Sequence, residues 1–244
     1  MTNKKKNNQG QTELSVKKNK QFFLEEHASY KDKVSEIDTY QSIYQVVSAE
    51  LNGIHKLLDI GNGGVFDYNT SLVGHIVGLD LFLDALPKDV VFPENVQMLQ
   101  GSALAIPAHL KDFDALLMVM LVHHLVGDSV EICEDNVKKS FREAYRVLAP
   151  GGKFIVMDSC VPHWFFEFEK IVFRSAAWLI SKTMKHPPVL QYTVPKIIEI
   201  MTESGFNRVQ AITVPKGRYI LQFGIKVPSF MTPTQPTLFI GYRD

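Results

Sequence analysis

The chain has 244 residues, 45% of them hydrophobic, and a formal net charge of zero, enough to bury a full core as one α/β domain with decorations. The charge is unevenly spread: residues 1–20 carry six lysines against Glu13, so the rest of the chain is acidic, which excludes a general attraction for nucleic acid. Two cysteines, Cys133 and Cys160, make no disulfide framework, and the apolar run Ala115–Val122 is far short of a membrane span, so a soluble, cytoplasmic protein without stable membrane insertion is expected.

Residues 1–20, with Lys4, Lys5, Lys6, Lys17, Lys18 and Lys20 among Asn, Gln and Thr, lack the apolar side chains to fold and read as a disordered basic tail. Residues 21–244 read as the folded domain. Over 21–51, Phe22, Phe23, Tyr30, Val34, Ile37, Tyr40, Ile43, Val47 and Leu51 fall near helical spacing and predict one or two helices ahead of a sheet. Strands are expected at about 55–60, 75–80, 96–100 and 115–121. An amphipathic helix is expected over 131–148, with Val137, Phe141, Ala144, Tyr145 and Leu148 opposite Lys138, Lys139, Arg142 and Glu143. Pro150-Gly151-Gly152 ends it, and 153–158 is the fifth strand.

Residues 161–185 are rich in Trp and Phe. Glu167, Lys170, Arg174, Ser181 and Lys185 make one polar stripe on an otherwise apolar helix. A helix that apolar is buried against another element or lies over a hydrophobic ligand. His186-Pro187-Pro188 begins a stiff linker, and a further helix is expected over 194–204, started near Thr193 and stopped at Gly205. Three strand-like runs close the chain, at 208–214, 219–226 and 237–242. Alternating strands and helices predict a doubly wound, Rossmann-like seven-stranded sheet, mostly parallel. Terminal strands without intervening helices predict an antiparallel C-terminal edge strand.

The most informative stretch is Leu57-Leu58-Asp59-Ile60-Gly61-Asn62-Gly63-Gly64, followed by a second apolar strand that ends at Asp80. An apolar strand running into a glycine turn lets backbone approach a ligand, and a carboxylate ending the next strand can accept ribose hydroxyls, the layout by which an open α/β sheet holds a nucleoside. Asp59 also fits a plain strand-end carboxylate capping the turn, and Asp80 a helix cap.

Together these segments resemble a class I S-adenosylmethionine-dependent methyltransferase over roughly residues 50–244. Leu57–Gly64 is similar to the family's first motif, Asp80 to its ribose-binding acid, and Gly101–Pro107 to the stretch beside the adenine. Asp112–Ala115 into Leu121-Val122-His123-His124 is similar to the fourth motif, and Ala144–Lys153 to the helix-turn-strand signature. His123-His124 and that signature point to the branch of small-molecule enzymes that includes ubiquinone and menaquinone biosynthesis. The resemblance implies S-adenosyl-L-methionine as cofactor, contacted by Asp59, Gly61, Gly63, Gly64, Asp80, Leu81, Ser102 and Ala103, and no metal. Two departures stand out: Val65 replaces a third glycine, where a β-branched residue resists a positive φ, and Ser102 stands where an acid is frequent.

For the acceptor side, His124 is expected either to fill the gap between the fourth strand and its helix or to orient or deprotonate an acceptor hydroxyl, with His123 alternating to the opposite face. Asp158, ending the fifth strand, is the second catalytic candidate. Asp67 and Tyr68 are expected where a helix begins. The segment 161–192, with His163, Trp164 and Tyr192, is expected to cover an apolar or aromatic small-molecule acceptor, with a homodimer interface and plain packing as competing uses. Residues 21–51 are expected to form a lid over the cofactor or to pack on the sheet. The fourth motif lacks the Asn/Asp-Pro-Pro-aromatic tetrapeptide of the amide and nucleobase N-methylating relatives, which argues against a DNA, RNA-base or glutamine acceptor, and transfer to oxygen is favoured over carbon or nitrogen. The competing functions are a non-methylating rearrangement at a bound sulfonium, a weakly catalytic partner of another methyltransferase, and a nicotinamide dehydrogenase. The last lacks the glycine placement for a pyrophosphate.

Overall fold

The computed structural model describes Lys20 and residues 37–66, 68–86, 89–183, 188–222 and 225–244, with the side chains of 85, 174–183, 221, 222 and 225 not described. The expected tail through residue 19, the first half of the expected lid, Asp67 and His186 lie outside the described residues.

Among the described residues nine strands are formed: β1 Ile54–Ile60, β2 Val73–Asp80, β3 Val96–Gln100, β4 Phe113–Val119, β5 Leu148–Cys160, β6 Asn207–Thr213, β7 Tyr219–Gln222, β8 Ile225–Pro228 and β9 Gln235–Tyr242. Seven of them make one sheet in the order β3-β2-β1-β4-β5-β9-β6, and β7 and β8 pair as a separate hairpin. β1 to β5 run parallel, while β9 is antiparallel to both β5 and β6. The antiparallel strand thus sits at the C-terminal side of the sheet one place in from its margin, and β6, parallel to β5, is outermost.

The central strands are buried on both faces, which explains their near-continuous apolar sequences. Leu58, Leu116, Met118, Phe154 and Val156 point to one core, and Leu57, Ala115, Leu117, Ile155 and Met157 to the other, in strict alternation. The first core is closed by α2 (Val130–Val147) and α4 (Val194–Glu203), through Val137, Phe141, Ala144, Ile197 and Ile200. The second is closed by α1 (Asp38–Leu51), whose Tyr40, Ile43, Val47 and Leu51 form one stripe. Thr193 caps α4 by accepting from the Lys196 amide at 3.2 Å. α3 (His163–Thr183) follows β5 and buries Phe166 and Phe173 in the first core.

The crossovers differ from a regular alternation. Among the described residues between β1 and β2 there is only a 3₁₀ turn, Thr70–Leu72, and between β2 and β3 only Leu83–Ala85. No helix begins at Tyr68: it is buried, and its hydroxyl donates to Asp59 Oδ2 at 2.7 Å. The sequence 65–72 has no helical stripe to bury, and a parallel crossover needs only enough chain to return. The run expected as one strand over 219–226 is broken into the β7–β8 hairpin. No described helix is long and apolar enough to cross a membrane.

Candidate active site

The carboxyl ends of β1, β2, β4 and β5 lie along one edge of the sheet, where an open α/β fold leaves a crevice. After β1 the chain turns through Gly61 (φ 74°), Gly63 (φ 61°) and Gly64 (φ 74°), a left-handed backbone that disfavours any Cβ. Val65 takes no positive φ. The predicted conflict with a β-branched residue does not arise, because the turn is already closed at Gly64.

Side chains fix this turn from beneath. Asp59 is only 1% exposed, and its Oδ2 accepts from Asn62 Nδ2 at 2.8 Å as well as from Tyr68. Burial pushes its carboxyl up to about 6, against the two hydrogen bonds that favour the charge. Asn62 Oδ1 in turn accepts the Gly64 amide at 2.9 Å. Asp80 takes one amide on each oxygen, Gly63 N on Oδ2 and Phe82 N on Oδ1, both at 2.8 Å. Leu81 is half-buried beside it and its carbonyl accepts from Gln100 Nε2. Ser102 Oγ accepts the Leu104 amide at 3.1 Å, capping its own turn, and Ala103 is buried within that turn.

A second cluster forms where β4 and β5 end. Met120 leaves β4 at φ 53°, a strained value for a side-chain-bearing residue, and Val122–His124 form a 3₁₀ turn. Strand alternation therefore does not separate the two histidines, whose rings lie 4.2 Å apart. It is His123, not His124, that meets Asp158: its Nδ1 is 2.6 Å from Oδ1, and its amide donates to Oδ2 at 3.3 Å. The Ser159 amide also donates to Asp158 Oδ1, at 2.7 Å. Both side chains are largely buried.

The segment after α3 closes over this pair. Leu190 N donates to His123 O, and Gln191 N to Glu169 Oε2 at 3.2 Å. Burial pushes the Glu169 carboxyl up to about 7, with His123 near enough to pull it back. Glu169 was absent from the sequence prediction; its signal was an acid lying off the polar stripe of the aromatic helix. The expected acceptor residues are not brought together. Trp164 is 65% exposed and His163 lies in solvent near Glu167, whereas Tyr192 is 3% exposed and packs beneath α3 on Phe166. Tyr192 therefore belongs to the core, on the opposite side of the helix from Trp164. Among the described residues no cluster of His, Cys, Asp and Glu is built to hold a metal ion.

At this edge each Asp80 oxygen keeps accepting capacity beside one backbone amide, Leu121 and Leu86 pack over Gly61 and Gly64, and the His123 ring is hydrogen-bonded to Asp158. Residues 58–156 match the methyltransferase domain family. The demethylmenaquinone methyltransferase of Listeria monocytogenes serotype 4a is 26% identical over 175 residues, 63% of this chain and 68% of that one. The fold is shared with an S-adenosylmethionine-dependent methyltransferase of Thermotoga maritima, with TM-score 0.57 and 18% identity over 92% of this chain and 99% of that one. It is also shared with the N-methyltransferase NodS of Bradyrhizobium japonicum in complex with S-adenosyl-L-homocysteine, with TM-score 0.52 and 12% identity over 84% and 85% of the two chains.

Proposed function

We propose, for a chain whose residues 58–156 form a methyltransferase domain on the fold of the class I S-adenosylmethionine-dependent methyltransferases, transfer of a methyl group to the hydroxyl of a small, apolar or aromatic acceptor in biosynthesis. S-adenosyl-L-methionine is the donor and S-adenosyl-L-homocysteine the product. The observation that carries the hydroxyl reading is the 2.6 Å contact between His123 Nδ1 and Asp158 Oδ1 beside the glycine turn.

The residues fit the cofactor. Each Asp80 oxygen is half used by a backbone amide, which leaves lone pairs for two ribose hydroxyls. The turn at Gly61, Gly63 and Gly64 would take the methionine end, with Leu121 packed over Gly61 and Leu86 over Gly64. Leu81, Ser102 and Ala103 would flank the adenine, with Ser102 making a weaker partner than a carboxylate because its oxygen is engaged in its own turn. Asp59, buried beneath the turn, would hold it in place from inside through Asn62 and Tyr68.

When bound, the cofactor supplies a methyl group already activated on a sulfonium. The chain must hold a nucleophile in line, exclude water and receive a proton. With Asp158 accepting from Nδ1–H, the Nε2 of His123 is left as the atom that takes the acceptor's hydroxyl proton, and the carboxylate steadies the imidazolium that results. α3 and the 188–193 segment, hydrogen-bonded to His123 and Glu169, shield the pair from water.

The test is calorimetric titration with S-adenosyl-L-homocysteine, followed by transfer of labelled methyl to a panel of phenols and their amine and thiol counterparts. Saturable one-to-one binding and label on the phenols support the reading. Binding with label only on amines would overturn the hydroxyl assignment, and failure to bind would overturn the cofactor site.

A further inference from the structure

A second feature of the same edge is not used by this mechanism. The 214–234 connection between β6 and β9 rises from the level of the site: Thr237 of β9 pairs with both Asp158 and Thr213. It carries the β7–β8 hairpin, which docks on the first turn of α1. Thr39 Oγ1 donates to Tyr219 O at 2.8 Å and accepts the Gly217 amide at 2.9 Å, and the Arg218 amide donates to Asp38 Oδ2 at 3.1 Å. Gly217 is pressed so closely here that a Cβ would meet Asp38 Cγ at 2.4 Å. These contacts leave a cleft of about 560 Å³ between α1 and the hairpin, walled by Lys216, Arg218, Tyr219 and Phe230, with Asp38 on its α1 side.

The composition of this cleft is not that of the body around it. Residues 214–231 hold Lys216, Arg218 and Lys226 and no acid, in a chain that is net acidic after residue 20. The Lys216 ammonium donates to Thr232 O at 3.2 Å, one of its three protons, and among the described residues no carboxylate pairs with it. It is partly withdrawn from water, which penalises its charge. Arg218 is largely exposed, with Asp38 3.7 Å from its Nε, so one of the two cations is offset and one is not. Phe230 is 87% exposed and Tyr219, with Lys226 Nζ 5.0 Å over its ring, is 39% exposed, and both share the lining of the cleft with Lys216. A partly withdrawn ammonium beside an exposed phenyl ring, with a second cation over the neighbouring tyrosine, is answered by a flat apolar anion.

We propose that this cleft binds the anionic group and ring of an aromatic organic acid, Lys216 and Arg218 holding the anion and Tyr219 and Phe230 the ring.

The probes are 8-anilino-1-naphthalenesulfonate and its uncharged counterpart N-phenyl-1-naphthylamine, titrated by fluorescence into the full chain. The sulfonate binds about tenfold more tightly than the neutral ring. Lys216→Gln with Arg218→Gln abolishes that difference and leaves the neutral probe within about twofold, Lys216→Arg keeps it, and Phe230→Ala weakens both probes. Equal affinity of the two probes for the wild-type chain, or parallel loss of both in the double variant, overturns the proposal. S-adenosyl-L-homocysteine is titrated into the same samples. Homocysteine-ligand binding without the sulfonate preference overturns the cleft alone, whereas the preference without that binding overturns the methyltransferase reading and leaves an aromatic-acid site.

Discussion

The backbone amide of Gly63 donates to Oδ2 of Asp80 at 2.8 Å, tying the turn after β1 to the last residue of β2. One carboxylate thereby shapes the turn and faces the crevice. Asp80→Asn keeps the size but removes the charge and half of the accepting capacity. Charge-assisted hydrogen bonds contribute roughly 1.5–3 kcal/mol, so S-adenosyl-L-homocysteine should bind at least about tenfold more weakly. The Gly63 amide should also exchange its hydrogen faster. Unchanged affinity in a folded variant would remove Asp80 from the cofactor site.

His123 and Asp158 are expected to act on turnover and not on cofactor affinity. His123→Gln should lower kcat by about 10²–10⁴-fold, the range for loss of a general base, and abolish the acid limb of the pH–rate profile. Asp158→Asn should cost much of the same factor by releasing the tautomer. S-adenosyl-L-homocysteine binding by calorimetry should be unchanged in both. His124→Gln is the contrast: if it, and not His123→Gln, flattens the profile, the base is the other histidine.

The contrast between these histidines shows what a local pattern can carry. The apolar runs of β1, β2, β4 and β5 were legible because each is buried on both faces, and α4 because Thr193 and Gly205 mark its ends. The positive-φ glycines of the turn were legible because a strand running into Gly61-Asn62-Gly63-Gly64 marks a turn locally. His123 was not, since its role depends on a 3₁₀ turn that follows the positive φ of Met120 and on a carboxylate from the next strand. Tyr68 and Glu169 are also tertiary, one reaching back to Asp59 and the other meeting Gln191. The place of β9 between β5 and β6 is set by pairing across the sheet, which no run of residues announces.

Stability should fall as the pH rises from acid to neutral, because two buried carboxyls hold their protons in the folded chain. Asp59 moves from 3.8 to about 6 and Glu169 from 4.5 to about 7, both chiefly by burial. A raised carboxyl stabilises the fold below its unfolded value, and that contribution is lost as pH passes through the folded one. For Asp59 the window is about pH 4 to 6, and a shift of this size corresponds to roughly 2–3 kcal/mol. Asp59→Asn, which can still accept from Tyr68 and Asn62, should flatten the lower part of the Tm profile and Glu169→Gln the upper part. A wild-type Tm that rises steadily from pH 4 to 7 would contradict both assignments.

Gly61 and Val65 bracket the turn and should differ in how far a substitution reaches the cofactor. Gly61 sits at φ 74°, and a Cβ there would come within 2.7 Å of Leu121. Gly61→Ala therefore incurs left-handed strain of about 1–2 kcal/mol as well as displacement of Leu121, a side chain just before the His123 turn. It should lower Tm by several degrees and weaken S-adenosyl-L-homocysteine binding together. Val65→Gly restores a glycine at a position whose φ is not positive, so it relieves no strain and only loosens the unfolded chain. Its expected result is a small loss of Tm with cofactor affinity unchanged. Tighter binding in Val65→Gly, measured by calorimetry beside the wild type, would show that the valine side chain and not the backbone limits the approach to the turn.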